Sequence, residues 1–208
     1  MIRRAIYRFT LPLLAVAILA ASAQAATYSI DAVHSGVGFT IRHIVSRTSG
    51  SFTGVSGTID YDPDHPEASV VMATIDVASI DTNNESRDAH LKGADFFNAE
   101  KYPTITFSST GATKKGDRLM VTGDLTMHGV TQRVVLPVEV LGVGVHPRSK
   151  AAVAGFSAQT VLKRSDFGVN SWTDVAGVLG DEVTVTLNIE AVVKPPKEPA
   201  TKEGSSDK

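Results

Sequence analysis

Hydrophobic and polar residues alternate along most of the chain. Between residues 181 and 193, every second residue from Val183 onward is apolar, and threonine, asparagine and glutamate occupy most of the places between them. A period of two is typical of a strand with one buried face, because successive side chains point to opposite sides. The same alternation predicts strands in residues 37–41, 119–127 and 152–162.

Weaker alternation, interrupted by turn signals, predicts the remaining strands. They lie in residues 51–61, 68–77, 104–113 and 130–141, with turns at 62–64, 115–117, 128–129 and 142–147. About eight antiparallel strands joined by short turns indicate an all-β sandwich or barrel. One segment breaks the rhythm: residues 83–93 are mainly polar, contain no β-branched residue and end in glycine, which predicts a short surface helix.

The predicted inward faces carry many small residues beside a few aromatic rings. Small residues mixed with phenylalanines can leave an elongated void, which favours a barrel over a sandwich. Alanine-rich strands can also pack closely against a neighbour, so the pattern leaves both architectures open. The small residues are Gly57, Ala73, Gly123, Ala152, Ala154 and Ala158, and the aromatic ones are Phe39, Phe107 and Phe156.

The first 25 residues have the parts of a bacterial export signal. Arg3, Arg4 and Arg8 precede an apolar run over residues 11–21, and Ala-Gln-Ala at 23–25 matches the pattern that signal peptidase reads. The run is too short for a bilayer-spanning anchor, so we expect cleavage after Ala25, a periplasmic location and no stable membrane insertion.

Composition narrows the function classes further. Loss of the three signal arginines leaves 17 basic residues against 22 acidic ones, a net charge of −5, which argues against a nucleic-acid partner. The chain has no cysteine, which excludes thiolate metal sites and a cysteine nucleophile. Residues 194–208 are rich in lysine and proline and predict a disordered tail, so residues 26–193 form the single expected domain.

Six sequence blocks, in this order and spacing, resemble the YceI-like family of periplasmic polyisoprenoid-binding proteins. The likeness covers essentially all of the expected domain. The blocks are residues 28–43 (YSIDAVHSGVGFTIRH), 50–59 (GSFTGVSGTI), 80–97 (IDTNNESRDAHLKGADFF), 102–108 (YPTITFS), 123–134 (GDLTMHGVTQRV) and 164–168 (RSDFG).

The resemblance implies an extended, eight-stranded, antiparallel lipocalin-like barrel with one short helix in a loop. It also implies a partner, a long isoprenoid such as a polyprenyl phosphate or a ubiquinone-type molecule, held in the barrel without a cofactor. A homodimer and a link to stress are further implications. We expect the following residues to line the cavity: Phe39, Ile41, Val71, Ile75, Phe107, Leu125, Phe156 and Leu187.

Four further residues are expected near the barrel opening. Phe167 and Trp172 lie in the loop before the last strand, where they would form a rim or plug. Arg87 and His90 lie on the predicted helix and would meet a phosphate or quinone head group, since an arginine fork suits phosphate oxygens. The alternative, which we favour, is structural: Asp88 caps the helix or pairs with Arg87.

Motifs for chemistry are absent from the sequence. The six histidines show no HxH or HExxH pattern, and we expect no metal site. There is no GxSxG motif, and Ser35 follows His34 directly, so a strand would point their side chains to opposite faces. We therefore expect a lipid-binding protein and no catalytic residues. An enzyme or redox accessory acting on a quinone or prenyl lipid, and a ligand-free structural stress protein with a filled core, remain the alternatives.

Overall fold

The computed structural model describes residues 26–172 and 177–193, which are mostly antiparallel strands. The predicted export signal and tail lie outside these residues. The elements are β1 (Ala26–Ile30), β2 (Gly36–His43), β3 (Ser46–Phe52), β4 (Val55–Tyr61), β5 (Val70–Asp76), β6 (Ile80–Asp81), α1 (Glu85–Lys92), β7 (Thr104–Lys115), β8 (Arg118–Met127), β9 (Val130–Val145), β10 (Ala152–Lys163) and β11 (Leu179–Val192). Three 3-10 turns lie at Pro66–Ala68, Val77–Ser79 and Arg164–Phe167. None of the helices in these residues is long and apolar enough to cross a membrane.

Eight strands close into an antiparallel barrel. Their order around the ring is β1, β4, β5, β7, β8, β9, β10 and β11, and β11 pairs with β1 to complete it. Three more strands lengthen the wall at one end, where β2 pairs with β11 and β3, and β3 pairs with β6. The predicted all-β, eight-stranded antiparallel barrel with one short helix is therefore confirmed.

The two ends of the barrel are built differently. We call the end with α1, the β8–β9 hairpin and the Arg164–Phe167 turn the mouth, and the opposite end the floor. At the floor, the rings of Tyr61 and Phe156 meet edge to face with centroids 5.3 Å apart. On the mouth side of Ala158, β10 no longer pairs with β9, and Gln132 Nε2 instead donates to Asp166 O at 3.0 Å.

Helix α1 is held at the mouth by hydrogen bonds to one threonine. Asn84 caps the helix by accepting from the Arg87 backbone N–H at 2.9 Å. Asp88 accepts from the backbone N–H and the hydroxyl of Thr82, while Arg87 donates to the Thr82 hydroxyl at 2.7 Å and to its carbonyl at 2.6 Å. Arg87 and Asp88 thus fasten α1 to the end of β6 through Thr82.

The strand boundaries differ from the prediction in several places, among them the following. The predicted strand over residues 51–61 is two strands, because β3 pairs with β2 and β6 whereas β4 pairs with β1 and β5; between them the Gly54 carbonyl accepts from Asp76 N. β1 was not predicted. The turn predicted at 142–147 is wrong in part, since β9 continues to Val145; Gly142, with φ +149°, lies beside a register shift against β10 rather than in a turn.

Buried apolar residues form four clusters around the wall instead of one central core. One fills the floor, two lie along the wall strands, and one lies under the mouth. They are Tyr28, Ile59, Tyr61, Ala154, Phe156 and Ala191; Val37, Phe52, Val55, Val77, Ile80 and Ile105; Phe107, Leu119 and Val121; and Phe96, Phe167 and Val169.

Candidate ligand-binding cavity

A cavity of about 750 Å³ occupies the barrel between these clusters. Phe39, Val185 and Leu187 face it and are only half-buried, because they border open space rather than another side chain. A second void of about 70 Å³ lies toward the floor and shares Ile59 and Val71 with the first. This interior does not match the filled core of the purely structural alternative.

Ten of the twelve residues expected at the ligand line this cavity. Seven are apolar wall residues from five strands, and three lie at the mouth. The wall residues are Phe39, Ile41, Val71, Ile75, Phe107, Leu125 and Leu187, and the mouth residues are Arg87, His90 and Trp172.

The other two, Phe156 and Phe167, lie elsewhere, which corrects their expected placement. Phe156 borders the small void at the floor, where it packs against Tyr61. Phe167 is 2% exposed and packs with Phe96 and Val169, because the 3-10 turn that it ends directs its ring into the wall. Phe167 therefore supports the mouth from below and does not form its rim.

Three rings gather at the rim itself. The His90 ring centroid lies 5.0 Å from that of Phe96 and 5.7 Å from that of Trp172, both in edge-on geometry. Trp172 is 45% exposed. Asp95 interacts with His90 through its carboxylate at 3.5 Å and accepts from the Ser171 hydroxyl through its carbonyl. The rim thus joins α1, the segment after it and the loop before β11.

Arg164 is a buried cation in the cavity wall that sequence reasoning missed. It is 5% exposed, and burial lowers the pKa of its guanidinium, with Asp181 partly opposing that effect. Its Nε donates to Gly180 O, and its Nη1 donates to Val169 O and Ser171 O, each at 2.8 Å. Its Nη2 has no acceptor among the described residues. The RSDFG block was the signal that could have drawn attention to it.

The titratable side chains that line the cavity are all arginines or histidines. Among the described residues they are His43, Arg87, His90 and Arg164, and no aspartate or glutamate accompanies them. All four lie on the mouth side, whereas the wall toward the floor is apolar. The site therefore pairs an apolar interior with a polar mouth, where Asp95 lies beside His90 and Asp181 near Arg164.

One surface cluster brings a histidine and two carboxylates together, although the sequence shows no HxH or HExxH pattern. Asp31, His34 and Glu190 place their ligand atoms within 4.8 Å of one another. Residues 31–35 bend between β1 and β2 instead of continuing a strand, which brings His34 Nδ1 within 2.9 Å of Asp31 Oδ2 and 3.8 Å of Glu190 Oε1. The group is exposed and ion-paired.

A catalytic role for Ser35 finds no support in its contacts. Its hydroxyl donates to the carbonyl of Glu190 and accepts from the backbone N–H of the same residue, both at 3.0 Å. His34 instead contacts the two carboxylates. A serine nucleophile needs a base within hydrogen-bonding reach, and this hydroxyl is bonded to backbone.

Comparison with known proteins agrees with this architecture. The model of the YceI-like domain matches residues 28–191. Protein YceI of Escherichia coli O157:H7 is 42% identical over 176 residues, which cover 83% of this chain and 90% of that protein. Among solved structures, BcnA of Burkholderia cenocepacia has a TM-score of 0.71 and 30% identity, covering 78% of this chain and 99% of that one.

A more distant solved structure has the same fold. It is a polyisoprenoid binding domain from Saccharophagus degradans, with a TM-score of 0.63 and 17% identity, and it covers 81% of this chain and 99% of that one. At that identity the likeness concerns the fold alone. The match over residues 28–191, together with the identity to Protein YceI, shows that the chain belongs to the YceI-like family.

Proposed function

We propose that this protein binds one long isoprenoid lipid in its barrel and serves as a periplasmic carrier or reservoir for it. The observation that carries the proposal is the cavity of about 750 Å³, apolar toward the floor and polar only on its mouth side. A chain molecule with a polar head fits such a site: the chain occupies the interior, and the head stays at the mouth. Polyprenyl phosphates and ubiquinone-type molecules both have this form.

The energetics support retention of an apolar chain. Each buried methylene contributes about 0.8 kcal/mol, so a few isoprene units suffice for tight binding even after the chain loses conformational freedom. Most of the lining residues belong to strands paired by backbone hydrogen bonds, which hold the wall in place. The polyisoprenoid binding domain with the same fold lends further support.

Binding without turnover agrees with the contacts of the polar residues. Arg87 and Arg164 donate to a threonine and to backbone carbonyls, and the Ser35 hydroxyl is bonded to backbone. The periplasmic location is supported by the predicted export signal. The homodimer and the link to stress stay predictions from the resemblance.

Native mass spectrometry of the protein purified from a bacterial host tests the proposal. We expect a complex whose added mass corresponds to one prenyl lipid and is released by organic extraction. Recovery of lipid-free protein that also takes up no added polyprenol or polyprenyl phosphate would contradict it.

A further inference from the structure

The hairpin formed by β2 and β3 carries two apolar side chains at its end. A two-residue turn, Ile44 and Val45, joins His43 to Ser46, which pair across the ladder. Ile44 is 52% exposed and Val45 is 97% exposed. Single apolar residues on a surface are ordinary, but two adjacent ones at the end of a hairpin form a projecting apolar tip. We call these two residues the β2–β3 tip.

The backbone of this turn is unfavourable for the residue that it holds. Ile44 has φ +53°, in the left-handed region, where a β-branched side chain is rarely found. Two-residue hairpin turns usually place glycine or asparagine in such conformations. Because the Ile44 side chain is more than half exposed, its packing within the chain does not offset this cost. Strain that the fold itself does not use points to a functional contact outside the chain.

Two arginines stand directly behind the tip. Arg42 and Arg47 are exposed and opposite each other in the ladder, so two like charges are neighbours, an arrangement that destabilises a hairpin. Arg42 donates to the Ile44 carbonyl at 3.0 Å, and neither guanidinium is paired with a carboxylate among the described residues. By contrast, Arg118 and Arg133 each lie beside a carboxylate. The two charges behind the tip are therefore available to an anionic partner.

The tip lies at the mouth of the cavity. The Ile44 N–H donates to Val178 O at 2.8 Å, which ties the hairpin to the segment before β11, and His43 next to the tip lines the cavity. No aspartate or glutamate occurs in residues 32–59. The tip and its two arginines therefore form an apolar and basic projection beside the opening.

We propose that the β2–β3 tip docks the barrel reversibly on an anionic phospholipid bilayer. Ile44 and Val45 enter the acyl boundary, and Arg42 and Arg47 contact the phosphates above it. An apolar end with basic side chains directly behind it matches the layers of a bilayer surface. Because the whole chain carries a net charge of −2, this attraction is local, and it turns the mouth toward the membrane. The docking is separate from the proposed function, since it requires no ligand in the cavity.

Flotation with vesicles of phosphatidylcholine and phosphatidylglycerol tests the docking. The protein purified from a bacterial host should bind these vesicles, and binding should weaken with added salt and on vesicles of phosphatidylcholine alone. Val45→Asp should lower the vesicle affinity roughly tenfold, because it removes an apolar contact and adds a negative charge. Arg47→Gln should lower it roughly fivefold.

Val33→Asp is the matched control for the aspartate variant. Val33 is 85% exposed and lies in the bend at the opposite end of β2, so we expect its substitution to leave vesicle binding unchanged. Residues 1–25 are the same in both variants, so the difference in affinity between the two reports on the tip alone.

A fluorescent label locates the contact without a charged substitution. The chain has no cysteine, so Val45→Cys accepts a single environment-sensitive dye. Its emission should shift to shorter wavelength on the phosphatidylglycerol vesicles, whereas the same dye on Val33→Cys should not respond.

The outcomes separate docking from isoprenoid binding. Equal vesicle affinity of Val45→Asp and Val33→Asp, or a dye at residue 45 that does not respond, overturns the docking proposal. A dimer that Val45→Asp dissociates, in a protein that ignores vesicles, also overturns it and assigns the tip to a second copy of the chain. Failure of docking with retained uptake of dissolved polyprenol leaves the proposed function intact, and docking without any uptake supports docking alone.

Discussion

The ring of Phe107 lies where a side chain at residue 123 would have to go. A Cβ built on Gly123 would be 2.4 Å from Phe107 Cζ and 2.6 Å from Ser108 O, far inside contact distance. Small inward residues were expected to leave open space. At Gly123 that space is filled by the ring of Phe107 from the neighbouring strand. Gly123 thus sets where Phe107 stands in the cavity wall.

Gly123→Ala should lower the free energy of unfolding by about 1–3 kcal/mol, because the added methyl group forces the Phe107 ring or the backbone to move. Urea unfolding followed by circular dichroism measures it. Gly36→Ala is the matched control, since nothing lies within 4 Å of a Cβ at that position. Adding Phe107→Leu to the Gly123→Ala variant should restore part of the loss. Equal stability of the two alanine variants would contradict the steric explanation.

Arg164→Lys should destabilise the fold by about 2–4 kcal/mol. Lysine keeps the charge but cannot reproduce the planar fork that holds the carbonyls of Gly180, Val169 and Ser171. Thermal unfolding compares this variant with Arg133→Lys, in which an exposed arginine paired with Asp124 is changed. A loss no larger than that of the control would show that the buried fork contributes little.

The contact between His34 and Asp31 should appear in a histidine titration. The hydrogen bond to Asp31, assisted by the charges of Asp31 and Glu190, raises the pKa of His34, and the same bond is the main reason that the pKa of Asp31 is lowered. Asp31→Asn keeps an acceptor for the Val33 N–H, so it should lower the pKa of His34 without unfolding the bend. Two-dimensional NMR of the histidine rings measures it, and an unchanged pKa would contradict the pairing.

The same pair defines a pH window for its effect on stability. Because the pKa of His34 is raised on folding, the contribution of His34 to stability is fully present below the ordinary histidine pKa. It is lost as pH rises through the raised pKa. Because the pKa of Asp31 is lowered, the contribution of Asp31 to stability is present above the ordinary carboxyl pKa. It is lost as pH falls through the lowered pKa. The pair is exposed, so we expect a small maximum in the difference between wild type and Asp31→Asn inside this window.

Val185→Trp should block the cavity. Val185 faces the interior from β11, whereas its neighbour Thr186 points outward in the same strand. We expect the indole to occupy space needed by the lipid and to weaken uptake roughly tenfold or more, while Thr186→Trp leaves uptake unchanged. A radiolabelled polyprenol binding assay measures it, and melting curves check that both variants are folded. Equal uptake by the two variants would place the lipid outside this cavity.

Trp172, the single tryptophan in the chain, should report on the mouth. It is 45% exposed and lies at the rim beside His90 and Phe96. A lipid that fills the mouth should exclude water from the indole, shift its emission to shorter wavelength and protect it from acrylamide quenching. A prenyl alcohol that binds with no change in emission or quenching would show that the mouth is open in the complex.

The wall of the barrel could be predicted from sequence because alternation carries the needed information. Val183, Val185 and Leu187 each face inward as their spacing requires, and the resemblance to the family implied a closed barrel of eight strands. The helix was also predictable, since its polar composition and Asn84 cap are local properties. Strand interruptions were harder to predict: Gly54 lies between two strands, whereas Gly142 lies inside β9, and a glycine in sequence does not distinguish these outcomes.

Arg164 and Glu190 could not be predicted from their own neighbourhoods. The burial of Arg164 depends on carbonyls of Val169, Ser171 and Gly180, which a loop and a separate strand bring together. Glu190 reaches His34 only because β11 runs beside the bend at residues 31–35. Contacts of this kind arise from closure of the barrel, which alternation along one strand does not encode.

The wall that lacks a shared central core has a consequence for how such proteins diverge. The inward side chains of β2 and β11 border the cavity and do not interlock across it. Exchanging Val185 for isoleucine or alanine therefore changes the width of the cavity without disturbing a side chain on its far side. Packing at the floor and under the mouth is separate and stays as it is. Substitutions in the wall can therefore change which ligand fits the cavity, one methyl group at a time, while the fold remains unchanged.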